Sequence, residues 1–316
     1  MKKILITGGL GFVGGRLTRK LMEQFDVVVS SRTTCSNAVL QQHGNPKSLL
    51  HERLLHADTF PEGIDTVIHL AALNEWDCIK FPSEAIAINI DQTRCILENA
   101  MHQKVQRFIY FSTAHIYGSP LQGYIDEQTL PVPLHPYAIT HKAAEDYIIA
   151  AAAHQKIQGY VFRLSNSFGA PVVPTVNRWT LLANDLCRQA IEKGSLTLLS
   201  NGCQYRDFIS LTDVENAVNQ LLMDQPQKLP HGIYNLGAGV SMQVIEMARL
   251  IAETYEELFG SPIALVLPPA SLASQEPELV FSNKKLLQAG ILLNNQVKKE
   301  IVELLLFCQQ NFKRDA

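Results

Sequence analysis

The residues with the clearest chemical potential stand at the start of the chain. Lys2-Lys3-Ile4-Leu5-Ile6-Thr7 is a short apolar run behind two charges, and Gly8-Gly9-Leu10-Gly11-Phe12-Val13-Gly14-Gly15 follows at once. Without a Cβ, glycine permits a tight turn and lets the backbone approach a pyrophosphate closely. A helix beginning at Phe12 and Val13 then points its free N–H groups and positive dipole end at that anion. Strand, glycine turn and helix in this order is the setting of a dinucleotide-binding motif. Two registers fit: Gly9-x-Gly11-x-x-Gly14, and the wider Gly8-x-x-Gly11-x-x-Gly14. The second apolar run ends in Ser31-Arg32, beside the expected adenosine ribose. An acidic residue there accepts hydrogen bonds from ribose hydroxyls, whereas an arginine makes a bidentate contact with a 2′-phosphate. NADP is therefore favoured over NAD. Asp58, after the next short strand, suits the adenine amino group.

The elements that position such residues are legible from hydrophobic runs. Strand-like stretches at 4–7, 27–30, 66–70, 108–112 and 160–164 alternate with helical stretches at 12–24, 83–101 and 136–154. That alternation predicts a parallel α/β sheet of the Rossmann type, doubly wound, with helices on both faces. Ligands in such sheets lie beyond the carboxyl ends of the strands. After Gly169 the pattern changes. A loop holds Pro171 and Pro174, residues 179–192 read as a helix, and 196–199 as a short strand. Proline turns at Pro262, Pro268, Pro269 and Pro277 and a closing helix near 296–311 complete a smaller, mixed α/β unit. The expected division is a dinucleotide-binding domain of residues 1–168 plus about 207–236, and a substrate-binding domain of 169–206 and 237–316.

Composition narrows the class. The 316 residues are 47% hydrophobic and carry a net charge of −3, which gives no electrostatic case for nucleic acid or an anionic membrane. No apolar stretch reaches the ~18 residues of a spanning helix. Six scattered cysteines with no C-x-x-C, and thinly spread histidines, argue against disulfides and metal sites and suit a reducing cytoplasmic setting.

Two further stretches run from the strand ends: Phe108-Ile109-Tyr110-Phe111-Ser112-Thr113-Ala114-His115-Ile116-Tyr117-Gly118 and Pro136-Tyr137-Ala138-Ile139-Thr140-His141-Lys142. With them the chain resembles the extended short-chain dehydrogenase/reductase family, the nucleotide-sugar epimerase, dehydratase and reductase group. His69-Leu70-Ala71-Ala72, Arg163-x-x-Asn166-x-x-Gly169, Arg206-Asp207-Phe208-Ile209-x-x-x-Asp213 and Tyr234-Asn235-Leu236-Gly237-Ala238-Gly239 extend the resemblance over about residues 4–240. The resemblance implies that Leu70, Ala71 and Ala72 border the cofactor and that Thr113 and Tyr137 form the reacting pair. Hydride moves between a sugar carbon and the nicotinamide while Tyr137 exchanges a proton with the attached oxygen. Thr113 orients that oxygen. The resemblance also makes Asn89 a brace for the active-site helix, and gives Asn166 and Arg206 the substrate diphosphate.

The chain departs from the family at position 141, which is histidine where the family has lysine. Residues i and i+4 share a helix face, so His141 faces the site while Lys142 points about 100° away. The family lysine binds the nicotinamide ribose and lowers the tyrosine pKa. With a reference pKa of ~6.5, the imidazole is mostly neutral at pH 7 and supplies only the first. Three outcomes stay open: activity with a raised pH optimum, activity through other groups such as the substrate-facing His115, or a catalytically weak NADP-binding sensor or partner protein. Dehydratases of the family carry Asp-Glu after the hydroxyl residue. Here the pair is Ala114-His115, which leaves epimerase or ketoreductase chemistry. The stretch 268–285 lacks the family's second arginine, which leaves Lys284 or Lys285 as a weak substitute, or a substrate with less charge than a nucleotide sugar. Core packing is expected for Trp76 and Trp179 and a structural hydrogen bond for His69. The alanine-rich segment 143–153 suits a homodimer.

Overall fold

The computed structural model describes residues 1–223, 230–268 and 276–313. Strand β1 (Lys3–Thr7) leads through the glycine turn into α1 (Phe12–Leu21), followed by β2 (Asp26–Ser31), α2 (Asn37–Gln42), β3 (Lys47–Leu50) and β4 (Thr66–His69). Helices α3 (Glu75–Lys80) and α4 (Pro82–Ala85) run into a π-helical stretch (Ile86–Gln92) and α5 (Thr93–His102). Then come β5 (Arg107–Thr113), β6 (Gly123–Ile125), α6 (Pro136–Ala153), β7 (Gln158–Leu164) and β8 (Asn166–Phe168). The remainder comprises α7 (Leu182–Lys193), β9 (Ser195–Thr197), β10 (Tyr205–Ser210), α8 (Leu211–Met223), β11 (Gly232–Leu236), β12 (Ser241–Gln243), α9 (Val244–Phe259), β13 (Ala264–Val266), β14 (Leu279–Phe281), α10 (Lys284–Gln288) and α11 (Val297–Phe312).

Seven strands form one wholly parallel sheet in the order β11-β7-β5-β4-β1-β2-β3. The direction of winding reverses between β1 and β4, which opens a crevice past their carboxyl ends. Strands buried on both faces read as continuous apolar runs, because each neighbouring side chain meets a different helix layer. Ile4, Ile6, Val27, Val29 and Phe111 pack under Leu17 and Leu21 of α1 and Val214 and Val218 of α8. Leu5, Val28, Val67 and Phe108 pack under Ile96 of α5 and Ala144 and Ile148 of α6. The doubly wound Rossmann architecture is thus present.

A third core, with Phe168, Leu186, Phe208, Met247, Ile251 and Leu304, belongs to the smaller C-terminal unit. The domain seam is less simple than expected. Strand β10 leaves the main sheet and pairs with β8 and β12, so of the segment 207–236 only β11 joins the seven strands while α8 covers them. The helix expected from residue 179 starts at Leu182. Trp179 stands in the preceding loop, where its Nε1 donates to the Pro174 carbonyl (2.9 Å) and its ring packs on Phe307 and Phe312. The turn expected at Pro269 lies outside the described residues.

Candidate active site

The glycine turn fits a dinucleotide. Gly8 has φ +66°, and a Cβ on it would stand 3.1 Å from the Ala71 nitrogen at the end of β4. Gly11 caps α1 with no side chain, its N–H donating to the Gly8 carbonyl at 2.9 Å. A Cβ on Gly14 would collide with that same carbonyl. The wider register therefore carries the geometry, and Gly9 is spent on close packing against Val29. The cradle lies at the switch point, with the first amides of α1 at Phe12 and Val13 lacking intrahelical partners.

A chain of directed bonds holds the facing wall. The Thr93 hydroxyl donates to the Asn89 carbonyl (2.8 Å), so it accepts from His69 Nε2 (2.9 Å). His69 Nδ1 then accepts from the Thr7 hydroxyl (2.8 Å). Thr7 Oγ1 in turn accepts from the Leu70 and Ala71 N–H groups (3.1 and 3.2 Å). Burial drops the His69 pKa to about 3, so the ring stays neutral. His69 is structural, as expected. Thr7 was not singled out in the sequence, though its place before the glycines marks it.

At the adenosine corner, the Ser31 hydroxyl donates to the Thr33 carbonyl (2.5 Å), and Arg32 is exposed with no ion-pair partner among the described residues. Asp58 is exposed on a turn beyond a 3-10 segment, His51–Leu55. The side chain that occupies the end of β3 is His51, bonded to Ser30 Oγ at 3.0 Å.

Thr113 ends β5, buried, and its Oγ1 accepts the His115 N–H at 3.2 Å, which leaves its own proton free to donate. Tyr137 stands on the first turn of α6, behind Pro136 and the capping His135, whose Nδ1 accepts its N–H (3.2 Å). His141 lies one turn on. Its ring is 4.0 Å from that of Tyr137, centroid to centroid, and its Nδ1–H donates to the Tyr137 carbonyl at 2.9 Å. That bond fixes the tautomer and leaves Nε2 as an acceptor. Burial lowers the His141 pKa to about 4. Burial also raises the Tyr137 phenol to about 12, with the Arg178 charge pulling it down and Glu75 and Cys78 pushing it up. Lys142 faces away and pairs with Asp146 (2.5 Å). Asn89, in the π-helical stretch, accepts the Leu73 N–H (2.8 Å) and donates to Thr140 Oγ1 (3.0 Å), tying the β4 wall to α6.

Toward the smaller unit, His115, Glu75 and Arg206 gather, with His115 Nε2 3.9 Å from Glu75 Oε1. Burial lowers the His115 pKa; Glu75 opposes this, and Arg206 and His135 add to it. Asn166 donates to the Asp207 carbonyl (3.0 Å). Asp207 anchors the next motif by accepting the Ala238 and Gly239 N–H groups at 2.8 Å each. Two expectations fail here. Lys285 is tied to the Ile233 carbonyl (2.7 Å), near the amino end of β11, and is not placed as a substitute arginine, while Lys284 stands over Tyr124. Trp76 is 70% exposed on α3 rather than packed in the core, because its helix meets the body through Cys78. The sequence reading also missed Glu75 and Arg178. Glu75 follows a strand end, where ligands are to be sought, but Arg178 lies in a loop with no local signal.

The family profile described as the NAD dependent epimerase/dehydratase family matches residues 4–237. The chain belongs to that family. Curated relatives are nucleotide-sugar enzymes of the family, and this chain is an enzyme. They include dTDP-D-glucose 4,6-dehydratase of Homo sapiens, 27% identical over 276 residues (81% of this chain and 76% of the relative). UDP-glucose 4-epimerase of Halalkalibacterium halodurans is 26% identical over 303 residues, covering 89% and 87%. Among solved structures, the UDP-glucuronic acid 4-epimerase of Bacillus cereus, in complex with UDP-glucuronic acid and NAD, superposes with a TM-score of 0.81. It is 22% identical, with 98% of this chain and 99% of that one covered. The UDP-glucose 4-epimerase of Thermotoga maritima, with UDP-glucose, gives a TM-score of 0.80 at 21% identity, covering 98% and 100%. At these identities the structural likeness speaks for the fold. Among the described residues no helix is long and apolar enough to cross a membrane, and no His/Cys/Asp/Glu group is arranged to hold a metal.

Proposed function

We propose that the protein is an NAD(P)-dependent epimerase or ketoreductase acting on a nucleotide-linked sugar. The observation that carries this reading is the placement of Thr113 and Tyr137 at the carboxyl edge of the sheet, on the side of the Gly8–Gly11–Gly14 cradle. When bound, the nicotinamide gives or takes the hydride. The chain does the rest. Its glycine turn and α1 amides hold the pyrophosphate. Tyr137 moves a proton to or from the substrate oxygen, and the Thr113 hydroxyl orients that oxygen. His141 Nε2 accepts a ribose hydroxyl. Arg206 and Asn166 receive the diphosphate, with His115 beside them. Ala114-His115 supplies no carboxylate pair, so elimination of water is disfavoured against epimerisation or reduction. The unpartnered Arg32 favours NADP over NAD. Names of relatives and neighbours, which include UDP-glucose and UDP-glucuronic acid epimerases, support the nucleotide-sugar class.

Turnover of a panel of UDP- and dTDP-sugars, followed by product analysis and cofactor absorbance, tests the reading. Tyr137→Phe should lower turnover by roughly 10²–10⁴. Unchanged turnover in that variant would sink the assignment, and tighter binding of NAD than NADP would sink the cofactor preference. A second reading, a weakly active NADP-binding sensor, is favoured by the neutral His141; tight NADP binding with no turnover on the panel is its signature. A homodimer through α6 is supported by Ile139 and Tyr147, 49% and 45% exposed on its outer face, while Ala144 and Ala151 pack inward. Light scattering at monomer mass would remove the dimer.

A further inference from the structure

Beside the proposed reacting pair stands a carboxylate that the chemistry of hydride and proton transfer does not use. Glu75 opens α3, directly beyond the wall that follows β4. Its Oε1 lies 3.9 Å from His115 Nε2. His115 is in turn tied by its own N–H to Thr113 Oγ1 (3.2 Å), which brings the carboxylate within one ring of the alcohol. A second path leads to the phenol's helix. Cys78, on the buried side of α3, accepts from Asn89 Nδ2 (3.4 Å), and the same nitrogen donates to Thr140 Oγ1 (3.0 Å). The Thr140 hydroxyl donates to the Tyr137 carbonyl (3.0 Å). The helix that carries Glu75 is thus held beside both Thr113 and Tyr137.

An exposed glutamate is ordinary on a protein surface. This one differs in having a fixed backbone and an uncommitted charge. The Leu73 N–H donates to Asn89 Oδ1 (2.8 Å), and the Cys78 thiol donates to the Leu73 carbonyl (3.6 Å). Asn74 caps α3 by accepting the Asp77 N–H (3.0 Å). The Glu75 side chain is 42% exposed, and among the described residues it accepts no hydrogen bond and its sole ion-pair contact is the His115 ring. Burial lowers the His115 pKa, so that ring is neutral at pH 7 and leaves the carboxylate charge unmatched. Such a carboxylate is an acceptor only: it receives hydroxyl donors on both oxygens and repels a second carboxylate.

We propose that Glu75 is a specificity-determining residue: its carboxylate accepts from the hydroxyls of a neutral sugar and excludes sugars that carry a carboxylate of their own. The proposal rests on the reading of the site as one for nucleotide-linked sugars, and it narrows that class to neutral, hydroxyl-bearing sugars as against uronic acids. Arg206 of β10 is left for the diphosphate, the part of the ligand that both classes share.

Calorimetry of the full chain with UDP, UDP-glucose and UDP-glucuronic acid tests it, because the two sugar nucleotides differ only in a hydroxymethyl group against a carboxylate. UDP-glucose should bind more tightly than UDP-glucuronic acid by roughly tenfold or more. Glu75→Gln should weaken UDP-glucose and strengthen UDP-glucuronic acid, closing the gap to about threefold or less, while the affinity for UDP itself stays within about threefold of the parent. Glu75→Asp keeps the charge and should keep the preference. Thermal melts confirm that each variant is folded. A parent chain that binds both sugar nucleotides equally, or prefers the uronate, overturns the proposal and leaves the nucleotide-sugar reading standing. So does a preference that persists unaltered in Glu75→Gln. A chain that binds neither UDP nor either sugar nucleotide removes the nucleotide-sugar reading and the proposal with it.

Discussion

Two sets of arginines in this protein stand in contrast: Arg163 and Arg16 are engaged by carboxylates within the fold, whereas others carry no hydrogen bond or ion pair among the described residues. Arg163 on β7 is fully buried and fully used. It pairs with Glu145 of α6 through two bonds (2.8 and 3.1 Å) and donates to the Tyr117 hydroxyl (2.8 Å), which donates on to Asn235 (2.7 Å). Arg16 of α1 is likewise engaged by Glu215 of α8 (2.5 Å), Glu300 of α11 (3.3 Å) and Thr212 (2.9 Å), stitching the two units together. Arg32, Arg178 and Arg206, around the crevice, have no hydrogen-bond or ion-pair partner among the described residues. Burial makes the charged form of Arg206 harder to hold, with only Glu75 in support. A cation kept partly dry and unpaired is poised for an anion that arrives with a ligand.

Removing the partner of a buried charge should give the largest effect. Glu145→Ala strands the Arg163 guanidinium and should cost about 3–5 kcal/mol in urea unfolding. A loss under 1 kcal/mol would erase the distinction between the two groups. Arg206→Ala should do the reverse. Its stability should stay within about 0.5 kcal/mol, while UDP affinity by calorimetry falls by roughly 10–100-fold, the worth of charge-assisted hydrogen bonds. Unaltered UDP affinity would move the diphosphate away from Arg206.

The smallest effect is graded with pH. His69 and His141 have folded pKa values of about 3 and 4, below the unfolded ~6.5, so the unfolded chain binds their protons first. Their stabilising contribution is complete above about pH 6.5 and is lost as pH falls. Asp207 opposes them, because burial raises its pKa to about 6 and the folded chain takes up that proton first. Between about pH 6 and 4 these three groups alone contribute a net loss of about 1.4 kcal/mol per pH unit, to which the lowered pKa values of His43, His51 and His115 add and the raised pKa of Glu300 runs counter. His69→Gln should flatten that slope in pH-dependent melts, and a slope unchanged in the variant would reassign the proton.

The glycine turn, the amphipathic α1 and the run of apolar strands were legible because each is a local pattern: a backbone constraint, a 3.6-residue period, strands apolar on both faces. The i, i+4 relation of Tyr137 and His141 was legible for the same reason, and the rings do meet. Trp76 was misjudged because a tryptophan's hydrophobicity says nothing about which side of a short helix has a core to enter. Lys285 was misjudged because position along the chain says nothing about which end of the sheet a side chain reaches. The split role of residues 207–236 followed from β10 leaving one sheet for another, a choice made by strand pairing between distant segments.

By itself the amino-acid order determined the glycine turn of the dinucleotide half and the shared helix face of Tyr137 and His141, since backbone turns and helix faces are set within a few neighbouring residues. Which arginines are neutralised and which stay unpaired was decided only by the assembled chain. Charge effects act through space and through the dryness of the surroundings, and neither exists until remote segments pack together.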